Sequence, residues 1–498
     1  MDFEFSIFKH LKIFIMLFNE KDLCLRKLLC AIGIVAVAQF MSCETDDVEE
    51  VRDDSSSPQQ EQKEEPSLNY KALFSSNHTM GMDEARELAL DAASLFAGEG
   101  KGLKSGRVRQ IEEVRVLRSD ETTLRSGSGE VVAIPDTLAY VCNFADSAGF
   151  AIICADDRVG CPILACVDNG TLGEDTDNPG LAIFLDNAQV FMRNSIMKFE
   201  AEKDSLLEVA KQKMKEDVCE ETTLRKRMSG SYYYWREEVK VDPLLLTEWA
   251  QSGNPYNNLM KECPDNPSEH APAGCWAVAI GQLMAYYKYP TSLMRRTSRG
   301  YEGVRPDWDE ITKEKDADSL RQQSYKDQVS KLLYEIGLRI GMNWQCGSSG
   351  TSDEYAVDYL KTAGYLNCVV SDYNYARIRM YLNNRKPVIM GGYSVRKGGF
   401  WKYSYSGGHT WVVDGYKAMM ADYYTYVVDT STGYYSESYV KTVLRDSYLH
   451  INWGWGGSNN GYFAEGCFDT REGDFDNWGI NWAESNYQYK VTMLPCYR

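Results

Sequence analysis

Cys275 ends the short turn Ala271-Pro272-Ala273-Gly274 and begins a run with helical character, Trp276-Ala277-Val278-Ala279-Ile280-Gly281-Gln282-Leu283-Met284. A thiol at a helix N-terminus feels the positive end of the dipole and the unpaired N–H groups of the first turn. Both favour the thiolate, the nucleophilic form. Such a nucleophile needs a histidine partner, a group that orients that histidine, and donors for the oxyanion formed on attack. The chain has five histidines. His10 falls in the leading segment, and His78 lies in a polar turn far upstream. His270 sits in a polar loop five residues before Cys275, too near along the chain to oppose the helix terminus. His450 precedes Asn452 by two residues, on the same strand face, and reads as a packed or surface histidine. His409 follows Gly407-Gly408, which let the backbone approach closely, and it opens a strand that would fix its ring.

Asn452 is the candidate orienter: an asparagine amide can accept from one imidazole nitrogen and leave the other facing sulfur. Trp453 beside it would shield that bond from water. Alone, Asn452-Trp453-Gly454-Trp455-Gly456-Gly457 reads as a strand end rich in aromatics; beside Cys275 and Gly408-His409 the catalytic reading takes over. Gln251, 24 residues before Cys275, offers an amide that would complete an oxyanion hole with the Cys275 N–H. Loss of one such donor typically costs about 3–4 kcal/mol of barrier. By itself Gln251 is an ordinary glutamine of a polar loop.

The 498 residues are long enough for several domains, and 44% hydrophobic with 25% charged residues is a globular composition. A net charge of -18 argues against nucleic acid as a partner and disfavours docking on anionic membranes. Residues 1–43 read as a lipoprotein-type signal peptide. Lys21, Arg26 and Lys27 precede the apolar run Leu28 to Ala38, and Phe40-Met41-Ser42-Cys43 follows. That run is short for a membrane span and fits a secretory core, with Cys43 as the lipidated residue. An ordinary signal peptide cut nearby is the alternative, and Met16 is a second candidate start. Residues 44–65 hold ten acidic and two basic side chains and no aromatics, so 44–66 reads as a disordered tether. Cys142, Cys154, Cys161 and Cys166 alternate with apolar residues and read as small core hydrophobes. With no Cys-x-x-Cys pair or His/Cys cluster, a metal site is not expected, and disulfide pairing cannot be read off.

Residues 67–225 read as an α+β unit: a helix over Met82–Phe96, strands Leu138–Phe144, Gly149–Ala155 and Cys161–Val167, then a long helix from Leu181 to about Glu216. Residues 226–240 read as a linker, with Arg225-Lys226-Arg227 as a processing candidate. From 241 to 498 helices come first and strands later. Cys275–Tyr287, Asp327–Ile340 and Tyr373–Leu382 are helical. Strands are expected at Lys386–Gly392, Thr410–Gly415, Tyr424–Val428 and Tyr448–Trp453.

These motifs resemble the streptopain family of papain-like cysteine peptidases, including the interpain-type enzymes of Bacteroidetes. The carriers are Gln251 with Pro255-Tyr256-Asn257, Ala273-Gly274-Cys275-Trp276-Ala277, Gly281-Gln282-Leu283-Met284, Tyr289-Pro290, Gly347-Ser348-Ser349-Gly350, Gly408-His409-Thr410-Trp411 and Asn452-Trp453-Gly454-Trp455. The resemblance implies Cys275 as nucleophile, His409 as its partner, Asn452 as orienter, Trp453 as shield and Gln251 as oxyanion donor. It implies substrate contacts from Gly347, Ser348, Ser349, Gly350 and Gly408. Gly149-Phe150-Ala151-Ile152-Ile153-Cys154-Ala155-Asp156-Asp157-Arg158 is similar to the family's propeptide, which implies an inhibitory domain that blocks the site until cleaved. The expected fold is α+β: a papain-like catalytic domain, its helical part carrying the cysteine and its antiparallel sheet the histidine, preceded by a smaller α+β propeptide.

The expected protein is a secreted or lipid-anchored zymogen of a cysteine endopeptidase. It acts on proteins or peptides, with its own propeptide as intramolecular inhibitor and no cofactor. The expected location is an outer-membrane lipid anchor at the cell surface or in the periplasm, or release outside after processing. The alternative is a catalytically silent surface lipoprotein that acts as a protease inhibitor or binding module.

Overall fold

In the N-terminal region, long apolar runs form strands buried on both faces. These are β4 (Thr137–Phe144), β5 (Phe150–Cys154) and β6 (Ile163–Val167). Helix α2 (Met82–Phe96), after the short α1 (Tyr70–Phe74), covers this sheet with Ala85, Leu88, Ala89, Ala92 and Phe96 buried. The edge strand is β1 (Ile111–Arg118), and β2 (Thr123–Arg125) pairs with β3 (Val131–Ala133). Cys142, Cys154, Cys161 and Cys166 are buried free thiols in this layer. The computed structural model describes residues 69–97, 109–119, 123–125, 131–174, 176–216, 233–264, 266–397, 404–429, 436–470 and 490–498. Cys43, the expected signal segment 1–43, the tether 44–66 and Arg225 to Arg227 lie outside them.

Helix α3 (Pro179–Glu216) starts where the sequence asks it to. Asn178 caps it, its Oδ1 accepting from the Gly180 and Leu181 N–H groups at 3.1 and 3.2 Å, and Pro179 takes the first helical position. Most of the stretch read as linker, 226–240, falls in strand β7, Tyr233–Val241. β7 pairs with β14 (Ser404–Asp429), so these residues belong to the sheet. β14 also absorbs the two strands expected at 410–415 and 424–428. The intervening Tyr416 to Tyr423 contains no glycine or proline to turn the chain, and the extended backbone runs on against β15 (Ser436–Asn452).

The C-terminal half opens with the small hairpin β8 (Glu262–Cys263) and β9 (Asn266–His270), followed by α4 (Cys275–Tyr287). Next come the hairpin β10 (Leu293–Thr297) and β11 (Gly300–Val304), then α5 (Trp308–Ile311), α6 (Gln323–Arg339), α7 (Asp353–Thr362), β12 (Ser371–Asp372) and α8 (Tyr375–Asn383). β13 (Val388–Lys397), β16 (Gly461–Ala464) and β17 (Lys490–Leu494) complete the strands. The main sheet runs β1-β4-β5-β6-β16-β15-β14-β13-β17-β12, with β7 added on β14. The N-terminal strands and the C-terminal strands are therefore one sheet, joined where β6 meets β16.

Period-2 alternation splits this sheet between two cores. Trp411 and Val413, Val388 and Met390, and Val491 and Met493 face the core shared with α3. Val412, Ile389 and Leu494 face the core that holds α4 and α6. Two disulfides staple the second half, Cys263–Cys346 and Cys368–Cys496. The first spans 83 residues, and closing a loop of that size is worth about 4–5 kcal/mol in the chain-entropy account.

The seam rests on Gly461. A Cβ there would lie 2.5 Å from the Cys166 carbonyl oxygen and 2.7 Å from the Val167 Cα. Gly461→Ala is therefore expected to destabilise the protein by about 1–3 kcal/mol. Hydrogen exchange should rise first at residues 163–167 and 461–464.

Candidate active site

Gly274 caps α4 with φ 97°, a left-handed value that glycine adopts freely, and a Cβ there would meet Met342 Cε at 2.5 Å. Cys275 follows as the first helical residue, partly buried. Burial pushes its thiol pKa up. Hydrogen bonds from the Thr410 N–H and hydroxyl, and from the Trp276 and Cys275 N–H groups, pull the other way without reversing the shift. The thiol is thus held protonated in this arrangement. Its neighbour across the sheet is Thr410, and not His409.

Strand parity explains why. Thr410 and Val412 share the face that meets α4, so His409 and Trp411 point to the opposite face, toward α3. There His409 is 3% exposed. Its Nε2–H donates to the Trp453 carbonyl at 2.9 Å, since a carbonyl only accepts. Its ring lies 6.2 Å from Trp411 and 6.0 Å from Trp455. The first turn of α3 covers it: a Cβ on Gly180 would stand 2.7 Å from His409 Cδ2 and 2.3 Å from Trp453 Cε3. Burial pushes the imidazole down to about 4, more than the Trp453 hydrogen bond raises it. Thiol and imidazole are both neutral and lie on opposite faces of β14.

Asn452 is on the Cys275 side, 2% exposed, with its amide fully engaged. Its Nδ2 donates to the Thr247 carbonyl at 3.0 Å and to Gln282 Oε1 at 3.3 Å. Its Oδ1 accepts from Gln282 Nε2 at 3.2 Å and from the Gly454 N–H at 3.1 Å. It does not touch the imidazole. Trp453, fully buried, donates its indole N–H to the Asn459 carbonyl at 2.9 Å, and its own carbonyl holds His409. Gln251 is buried, and its backbone carbonyl accepts the Ala273 N–H at 2.7 Å, which ties its loop to the turn before Cys275. Gly347, Ser348 and Gly350 are exposed, with Ser349 half-buried. Gly408 is exposed beside His409 and pairs with Tyr393. The structure therefore gathers Cys275, Gln251 and Asn452 on one side of the sheet and sets His409 and the Trp453 ring on the other.

Two further buried groups support the site: Gln282, which the sequence reading quoted without a role, and His450, which it read as packed or on the surface. Gln282 is fully buried, pairs its amide with Asn452, and accepts the Trp249 N–H at 2.9 Å. The available signal was a glutamine on an otherwise apolar helix, seven residues after Cys275, which is two turns along the same face. His450 is buried, and its Nδ1 lies 2.6 Å from Asp414 Oδ1. Burial works to lower its pKa, yet the Asp414 carboxylate wins and holds it above the ordinary histidine value. Asp414 also accepts the Leu245 N–H at 3.0 Å. Among the described residues no cluster of His, Cys, Asp and Glu is arranged to hold a metal ion.

Gln282→Met preserves the helix but leaves the Trp249 N–H and one side of the Asn452 amide without partners. Each such loss costs about 1–3 kcal/mol, so urea unfolding should register on the order of 3 kcal/mol, with activity falling in parallel. His409 predicts a pH dependence. Between its ordinary value of 6.5 and its buried value of about 4, the unfolded chain carries a proton on this residue and the folded chain does not. The stability contributed by the neutral ring is present above the unfolded value and is lost as pH falls towards 4, a difference on the order of 3 kcal/mol. Urea titrations at neutral and acid pH should show this slope in wild type and its loss in His409→Gln.

Two parts of the sequence match known families. Residues 249–463 match the Peptidase C10 family, and residues 87–192 match the Spi protease inhibitor family. Streptopain of Streptococcus pyogenes is 24% identical over 411 residues, which cover 75% of this chain and 83% of that protein. The serotype M1 streptopain is 23% identical over the same length. Two solved structures are similar in part. Prointerpain A of Prevotella intermedia has 18% identity and TM-score 0.45, with 75% of this chain and 98% of that one covered. Active interpain A has 19% identity and TM-score 0.34, with 52% and 95% covered. The chain carries a Peptidase C10 family domain, that of a cysteine-type peptidase, with a Spi protease inhibitor domain ahead of it.

Proposed function

We propose that the chain is the latent form of an endopeptidase that works through a thioester, with residues 67–225 as its inhibitor and Cys275, His409 and Asn452 as its catalytic groups. One observation carries this reading. The Cys275 thiol is pushed up by burial and the His409 imidazole is pushed down to about 4, on opposite faces of β14, with the start of α3 packed on the ring. A thiolate–imidazolium pair needs both shifts reversed. Removing α3 would uncover the imidazole, and Gly407-Gly408 give β14 the backbone freedom to turn it towards sulfur. Asn452, already fixed by Gln282, would then orient the ring, and Gln251 with the Cys275 N–H would receive the oxyanion. Trp453 changes role in this reading. Its carbonyl holds the latent imidazole, and its ring walls the site.

In the active form the thiolate adds to the peptide carbonyl carbon, and the C–N bond breaks as the amine takes the imidazolium proton. Water, deprotonated by the neutral imidazole, then hydrolyses the thioester and frees the sulfur. Activation requires a cut between the inhibitory and peptidase domains, for which Arg225-Lys226-Arg227 is the candidate. Export and a lipid on Cys43 are supported by the basic residues, the apolar run and the acidic stretch that follows. A tether at 44–66 would hold the zymogen at an outer membrane, facing the periplasm or the outside.

Mass spectrometry of the protein from residue 44, with an active-site cysteine label and beside Cys275→Ala, decides the matter. Wild type should shed a fragment of about 160–200 residues, as a separate inhibitory domain implies. One label should land on Cys275 only after that loss, and Cys275→Ala should stay intact. If Cys275 refuses the label after the chain is cut at Arg225-Lys226-Arg227, the binding-module alternative replaces the peptidase reading.

A further inference from the structure

We infer that the Cys263–Cys346 disulfide is the clamp that positions the loop 343–350 beside Cys275, and that this clamp sets the preference for substrate side chains on the acyl side of the scissile bond. The inference rests on the peptidase reading above. It starts from where the two sulfurs sit in the chain. Cys263 ends β8, and the β8–β9 hairpin runs directly into the turn that presents the nucleophile. That hairpin is a firm base. Its closing Ala271 N–H donates to the Lys261 carbonyl at 2.8 Å, Asn257 Nδ2 donates to the His270 carbonyl at 2.9 Å, and His270 Nδ1 lies 2.8 Å from the Met260 carbonyl. Cys263 itself is buried.

Cys346 lies in an exposed loop. The root of that loop is Met342, the residue packed against Gly274, so the loop begins in contact with the N-cap of the catalytic helix. Trp344 stacks on Tyr334 at 5.3 Å and secures the next step. Beyond it the loop shapes itself: the Asn343 N–H donates to the Gly350 carbonyl at 2.9 Å, and the Ser348 N–H to the Gln345 carbonyl at 3.2 Å. These bonds close a turn but do not fasten it to the body. Gly347 has φ 96° and open space around its Cβ position, so its neighbours do not fix it. The covalent link at Cys346 joins this turn to the hairpin that leads into Cys275. The turn and the nucleophile thereby move as one piece, and the gap between them has a fixed width. A substrate side chain entering beside Cys275 meets that width. Cys368–Cys496, which ties the C-terminus elsewhere in the same half, has no such position and serves as the control.

The test compares Cys263→Ser/Cys346→Ser with Cys368→Ser/Cys496→Ser and with wild type, each as activated enzyme released from the full chain. Three quantities are read: kcat/KM on peptides differing in one acyl-side residue, the rate of Cys275 alkylation by iodoacetamide, and hydrogen exchange at residues 343–350. Loss of the clamp should raise exchange in the loop and compress the ratio between best and worst peptide at least about fivefold, chiefly through KM, with the alkylation rate unchanged. The control should keep the wild-type ratio. An unchanged ratio in the first variant, or an equal compression in the control, overturns the clamp and leaves the disulfide as a stability staple. A parallel fall in alkylation rate overturns it too, because the nucleophile itself would then have moved. Wild type that cleaves no peptide overturns the peptidase reading and the clamp with it, whereas cleavage with unaltered preference overturns the clamp alone.

Discussion

The hydrogen bond from His409 Nε2 to the Trp453 carbonyl lies on the face of β14 that the first turn of α3 covers. A neutral imidazole is the only form that such a site tolerates at little cost, because a buried charge without a counter-ion is expensive. Burial of the ring, its depressed basicity and its separation from Cys275 thus come from one packing arrangement. Gly180 is what allows it, since any side chain there would overlap Trp453 and His409. The inhibitory region and the catalytic region meet through this contact and through the shared sheet, where β6 runs beside β16. An inhibitor built into the same sheet is held with the cooperativity of a core and not as a loosely tethered lid.

On the other face of β14 a second set of interactions is already in place. Gln282, Asn452, Thr247 and Trp249 join in one buried hydrogen-bonded cluster that links the nucleophile helix to the last residues of β15 and to the segment leading to Gln251. Buried amides of this kind are stable only when their partners are all present. In the proposed reading, the latent protein keeps Cys275, Gln251 and Asn452 on one side of the sheet and holds the His409 ring apart from them. The His450–Asp414 pair adds to this rigidity, with the carboxylate also holding the Leu245 N–H where the chain enters the catalytic half.

Much of this was legible in the residues. The N-cap glycine before Cys275, the apolar helix after it and the paired glycines before His409 have local physical meanings, and local geometry followed them: α4 spans Cys275–Tyr287 and α2 spans Met82–Phe96, as the spacing predicts. The strand reading failed where continuity depended on partners. Tyr416 to Tyr423 carries no turn residue, but only the flanking β15 and β7 make it one long strand with its neighbours. The same reason turned Tyr233–Val241 from apparent linker into sheet: a charged, tyrosine-rich stretch becomes a strand once an edge is offered to it.

Sequence alone pointed to the reaction class, a cysteine-type peptidase, which the Peptidase C10 match over residues 249–463 bears out; the roles read for Cys275, His409 and Asn452 rest on side-chain type and local backbone. Tertiary structure decided everything that depends on which face a residue points to and what lies opposite. One-residue alternation puts Thr410 against Cys275 and His409 against α3, and no local signal specifies which of two adjacent strand residues meets the nucleophile. The pairing of Cys263 with Cys346, across 83 residues, likewise depends on two loops converging in space. The engagement of Gln282 with Asn452 is of the same kind, since a buried glutamine declares its partner only when the sheet has folded over the helix.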